Sequence, residues 1–233
     1  MAVDTTTPPP SGPAHRDRLL VPTLNKQCWS FIIGSALFAI GSAPGFASAA
    51  GALSANLCYF FGAWFFTAAA LIQLVRSGSV TVPVDFAPGK MFRAEWLAAS
   101  VQFFGTLLFN VSTTAALAPN TIKGEQHLVW NPDAGGSVAF LLSGGFVLLA
   151  FVRSGNDFFS PRKVDFWAGQ VNFLGCIAFG VAAVGGFINS SGSTVDAAMS
   201  NWGTFIGALC FLVASAIALP SLPWNSADVA DAA

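Results

Sequence analysis

Residues 130–155, WNPDAGGSVAFLLSGGFVLLAFVRSG, decide the class of fold. Trp130 suits the boundary between lipid and water, Asn131 is a helix-capping residue, Pro132 fits a first helical turn and Asp133 suits the positive end of the helix dipole. The spacing therefore predicts a helix starting here. No ionisable side chain follows until Arg153, and Ser154 and Gly155 then close the segment. At about 1.5 Å per residue, the stretch from Asp133 to Arg153 is close to the roughly 30 Å thickness of a bilayer's hydrocarbon core.

The rest of the chain is built in the same way. Its 233 residues are 54% hydrophobic and only 9% charged, where soluble domains carry roughly 25% charged residues. A net charge of −1 gives no basic surface for nucleic acid. Apolar runs predict an all-α polytopic membrane protein with six spans, over residues 28–46, 56–75, 96–117, 133–152, 166–188 and 201–219. They leave a disordered tail over residues 1–24, rich in Thr and Pro, and a short tail over residues 221–233. Residues 47–49, Ala-Ser-Ala, resemble a signal-peptidase site, but the polar leader before the first run is too long for a signal peptide, so that run is expected to stay in the membrane. Cys28, Cys58, Cys176 and Cys210 lie in or beside apolar runs without CxxC spacing, as small buried hydrophobes do.

Orientation follows from the basic residues, which concentrate on the cytoplasmic side. Arg16, Arg18, Lys26, Arg76, Lys90, Arg93, Arg153, Arg162 and Lys163 all fall on one side of a six-span arrangement, and Lys123 alone on the other. Both termini are expected to be cytoplasmic.

The six spans group into three similar hairpins. Gly34, Gly105 and Gly175 are each followed four residues later by Phe38, Phe109 and Phe179, at spacings of 71 and 70. In the even spans Asn56, Asp133 and Asn201 are expected starts, with Gly62, Ala139 and Gly207 six residues on. Val-Arg-Ser-Gly occurs at 75–78 and again at 152–155. Such units are parallel repeats, since each enters and leaves on the same side.

This pattern, and above all residues 103–117 (FFGTLLFNVSTTAAL) with 129–144 (VWNPDAGGSVAFLLSG), resembles the YrhK-like domain of bacterial membrane proteins, over roughly residues 25–220. The resemblance implies a bacterial cytoplasmic-membrane location and carries no catalytic residues with it.

The third span holds the most polar face. Gln102, Thr106, Asn110 and Thr113 recur at helical spacing, and Asn172 is the counterpart of Gln102 in the next hairpin. They fit either a path for a neutral or apolar solute or interhelical hydrogen bonds. Gly203 and Gly207 form a small-xxx-small pair suited to close packing, within one protomer or across a homodimer. Lys123, Glu125 and His127 are the outer groups an enzyme would use, at a spacing that matches no catalytic motif. No catalytic, metal or cofactor residue is expected. The favoured function is a non-enzymatic structural or interaction component of the membrane, with the lipid bilayer and a second copy or another membrane protein as partners. A small channel or permease for a neutral solute is the alternative, and a membrane-bound enzyme the third class.

Overall fold

A computed structural model of the chain describes residues 21–83 and 90–220. Residues 1–20 of the expected N-terminal tail, with Arg16 and Arg18, and the whole expected C-terminal tail lie outside these residues, as does the side chain of Lys90. The chain is mostly helical. Its long helices are α1 (Leu24–Ser42), α3 (Ala52–Arg76), α4 (Ala94–Ala115), α6 (Asn131–Arg153), α7 (Val164–Gly185) and α8 (Ala197–Ile217), with the short helices α2 (Phe46–Ala50) and α5 (Ile122–Gly124) in connections.

Sequence neighbours pack as hairpins: α1 on α3, α4 on α6, α7 on α8. The hairpins also pack on one another, α3 on α4, α6 on α7 and α8 back on α1, so six helices form a closed ring. Every adjacent pair for which two contacts fix direction runs antiparallel. Asn110 reaches Thr67 while Asn56 reaches Ala116, for example, so α3 and α4 run in opposite senses.

Four helical segments among the described residues are long and apolar enough to cross a membrane: Ala52–Arg76, Ile122–Arg153, Val164–Gly185 and Ala197–Ile217. This marks a membrane protein. Helices α1 and α4 fall below that level for local reasons. Asn25, Lys26 and Gln27 occupy the first turn of α1, and α4 carries the polar series from Glu95 to Thr114.

Three expectations about helix starts are corrected. Asn131 is not a cap, because the helix begins earlier: the Thr121 hydroxyl accepts from Gly124 N at 3.1 Å, and α5 runs through a π-helical segment, Glu125–Trp130, directly into α6. Pro132 explains that segment. Its ring collides with the carbonyl four residues back in a regular helix, and widening the preceding turn relieves the collision. Asn131 N–H accordingly bonds Gln126 O, five residues away. Asn56 lies within α3, and its amide instead donates to Ala116 O at 2.7 Å, satisfying a carbonyl at the end of α4. Asn201 lies inside α8, whose cap is Asp196, accepting from Met199 N at 2.9 Å.

The connection after α3 also holds what a purely helical expectation omits. Strands β1 (Thr81–Pro83) and β2 (Lys90–Phe92) pair antiparallel, with Val82 opposite Met91. Arg93 ties this ribbon to the bundle by donating to Ser77 O at 3.2 Å and by its ion pair with Glu95 at 3.4 Å.

Candidate functional site: a plugged ring with an inner vestibule

Each hairpin is pinned where two glycines cross. A Cβ on Gly34 would fall 3.0 Å from Gly62 O, and one on Gly62 equally close to Gly34 O. Gly105 and Gly136 repeat the arrangement at 3.2 and 3.0 Å, and Gly175 and Gly207 at 3.1 and 3.0 Å. The counterpart of Gly62 and Gly207 is thus Gly136, not Ala139. The Val-Arg-Ser-Gly echo misleads by three residues because α6 continues about one turn further beyond its glycine than α3 does.

With that register, all six long helices carry Gly-x3-Phe, and the six phenylalanines meet on the ring axis. Phe38, Phe109 and Phe179 form one triangle, with ring centroids 5.9–6.5 Å apart. Phe66, Phe140 and Phe211 form a second, at 5.7–6.2 Å. Within each hairpin the two layers touch edge to face at 5.1–5.3 Å. The missing Cβ atoms make room for these rings. A Cβ on Gly62 would lie 2.6 Å from the Phe38 ring, and one on Gly207 would overlap the Phe179 ring. Gly203 packs on the α7 backbone at Ala178 and Ala182. Both glycines of the expected pair therefore serve packing inside their own hairpin.

The five polar candidates separate into three groups. Thr106 and Thr113 are buried, and each hydroxyl donates to its own helix, to Phe103 O at 2.7 Å and Phe109 O at 2.8 Å. Asn110 turns toward α3, where Nδ2 donates to Thr67 Oγ1 at 2.8 Å. Eight residues at about 100° each leave it roughly 80° from Gln102 around the helix, enough to move it from the axis to a helix seam. Gln102 and Asn172 line a cavity.

That cavity, about 390 Å³, lies at the end of the ring where Arg76, Arg93, Arg153 and Lys163 stand, and its inner limit includes Phe31 and Phe211. Equivalent positions of the three hairpins line it. Ten residues before each crossing glycine stand Leu24, Glu95 and Asp165; three before stand Phe31, Gln102 and Asn172. At these two positions the first hairpin is apolar and the other two are polar, although Gln27 and Gln73 of the first hairpin also line the cavity. Ser143, on α6, is buried behind Gln102, donating to Ala98 O at 2.8 Å with Gln102 Oε1 3.3 Å away. Ser143 had no sequence signal beyond a polar residue in an apolar run. Glu95 and Asp165 stand at the same spacing before Gly105 and Gly175, but that spacing alone does not mark them as cavity residues.

At the opposite end, His127 Nδ1 lies 3.1 Å from Asn131 Nδ2, and no hydrogen bond or ion pair joins Lys123, Glu125 and His127 among the described residues. The π segment is tied instead to the last hairpin, through Gln126 Nε2 to Ile188 O at 2.9 Å and Trp130 Nε1 to Ala183 O at 2.8 Å. No three His, Cys, Asp or Glu side chains converge in a metal-binding group among the described residues.

No family model, curated protein or solved structure matches the chain.

Proposed function

We propose that the chain is a six-span protein of the bacterial cytoplasmic membrane, with three hairpins and both termini in the cytoplasm. Its role is that of a non-enzymatic structural or interaction component, with lipid and a second copy or another membrane protein as partners. The observation that carries this reading is the double triangle of phenylalanines, which fills the ring axis with close-packed side chains. Six spans are supported by the outward faces of the two less apolar helices, where Trp29, Ile33 and Ile40 on α1 and Phe104, Leu107 and Val111 on α4 are exposed. The polar residues of α4 turn mainly inward, so the average over the helix understates how apolar its outer side is. The nine-to-one division of basic residues supports the orientation, and the YrhK-like resemblance supports the bacterial location.

A channel or permease for a neutral solute is the second reading, favoured by the vestibule that Gln102 and Asn172 line. It requires the phenylalanines to separate, and Asn110 faces Thr67 rather than the axis. Light-scattering measurements on proteoliposomes distinguish the two. The structural reading expects urea and glycerol to enter no faster than in protein-free liposomes. Faster entry, abolished by Gln102→Leu together with Asn172→Leu, would overturn it. Orientation is tested by adding an impermeant thiol reagent outside cells that express variants lacking the native cysteines: Lys123→Cys should label and Arg162→Cys should not.

A further inference from the structure

The vestibule carries an inference beyond this role. Gln102 is the buried amide of its polar lining, which also includes Gln27, Gln73 and Gln170 nearer the opening. Ser143 has a single hydroxyl proton, given to Ala98 O at 2.8 Å, so the Gln102 amide beside it is best satisfied by donating to Ser143 Oγ through Nε2. Turning the amide end for end achieves this and leaves Oε1 toward the cavity. Gln102 is only 6% exposed, and in either orientation one end of its amide has no protein partner among the described residues. Asn172 directs Nδ2 toward Cys176 Sγ, 4.0 Å away, and its Oδ1 is likewise unpartnered.

Glu95 and Asp165 add two carboxylates to the same wall. Both sit in first helical turns, where the dipole alone favours them. Glu95 is partly offset by Arg93, whereas Asp165 makes no ion pair or hydrogen bond among the described residues. Among the described residues no lysine or arginine lines the cavity, although Arg76 stands beside it, donating to Gln27 Oε1 at 2.6 Å. Opposite stand Leu24, Phe31, Phe211 and Ala214, an apolar and partly aromatic wall. A buried amide with one end unpartnered, its oxygen turned to the cavity, beside carboxylates and an apolar wall, suits a ligand that brings its own N–H groups and positive charge on an apolar body.

We propose that the vestibule binds a small amphiphilic amine, its ammonium group held by the Glu95, Asp165, Gln102 and Asn172 wall and its apolar part lying against Leu24, Phe31 and Phe211. The shared chemistry admits a free amine or the amine headgroup of a lipid.

The test uses the full chain in phosphatidylcholine nanodiscs, with n-hexylammonium, n-hexanol and n-hexanoate as probes in calorimetric titrations. Saturable binding of hexylammonium is expected, with hexanol and hexanoate each at least about tenfold weaker. Asp165→Asn and Gln102→Leu should each weaken hexylammonium about tenfold or more. Asp165 is exposed, so Asp165→Asn leaves the packing intact and remains informative if Gln102→Leu fails to fold. Hexanol binding as tightly as hexylammonium, or an Asp165→Asn variant with unchanged affinity, would overturn the proposal. Replacing half the lipid with phosphatidylethanolamine separates the two sources. Competition there assigns the site to a lipid headgroup, and unchanged affinity to a free amine. These results are independent of solute flux, so failure here leaves the structural reading standing.

Discussion

Truncating Phe140 to alanine tests the packed axis directly. Phe140 is 1% exposed, and the rings of Phe109, Phe211, Phe66 and Phe179 surround it at 5.1, 5.7, 6.2 and 6.4 Å. In a bilayer the unfolded reference state keeps the side chain in apolar surroundings, so transfer from water contributes little and the void dominates. A void of roughly 80–100 Å³, at about 24 cal/mol per Å³, costs about 2 kcal/mol. Losing the edge-to-face contacts raises the total to about 2–4 kcal/mol. The folded-to-unfolded ratio should fall by about 30-fold to 1,000-fold. Equilibrium unfolding in mixed detergent micelles, or steric trapping in bicelles, measures this. Phe61→Ala is the control, since Phe61 is 52% exposed on the same bundle. Phe140→Leu should recover much of the loss by refilling the space. A Phe140→Ala variant within about 0.5 kcal/mol of the Phe61→Ala control would refute a close-packed axis.

Three further outcomes follow from particular contacts. Gly136→Ala drives a Cβ to 2.9 Å from the Phe109 ring and 3.0 Å from Gly105 O. It should lower stability by about 1–3 kcal/mol in the same unfolding assay, and Gly62→Ala and Gly207→Ala should behave alike. A double-mutant cycle of Asn110→Ala with Thr67→Val should return a coupling of about 0.6 kcal/mol, the typical interhelical value, and a coupling near zero would remove that bond from the account. Asp196→Ala deletes the cap of α8 and should destabilise the end of the last hairpin remote from the vestibule by about 1 kcal/mol, seen as faster amide exchange at Met199 than in the parent protein.

The existence of helical segments was legible because apolar length and charge exclusion are local properties of the sequence. Their starts were less so. Asn131-Pro132-Asp133 has the composition of a helix N-terminus, yet the chain accommodates Pro132 by widening the turn before it, and tertiary bonds from Gln126 and Trp130 to the last hairpin hold that turn in place. The Gly-x3-Phe spacing was legible in the odd helices. In the even helices the same motif at Gly62, Gly136 and Gly207 was obscured by aligning on helix ends, which differ in length. Of the polar face on α4, periodicity anticipated the inward position of Gln102, Thr106 and Thr113. Which of these groups is spent on its own backbone, and which stays open to a cavity, depends on neighbours far away in sequence, such as Ser143.

The ring closes through α8 against α1, where Cys28 Sγ approaches Ala218 O at 3.6 Å, so the first and last long helices are neighbours like any other pair. The order in which the six helices follow one another along the chain is then not dictated by their packing. A circular permutant that joins residue 220 to residue 21 by a flexible linker and opens between Ser160 and Pro161 should assemble the same six helices with the same phenylalanine triangles. What the sequence writes as three successive hairpins, the molecule uses as a cycle.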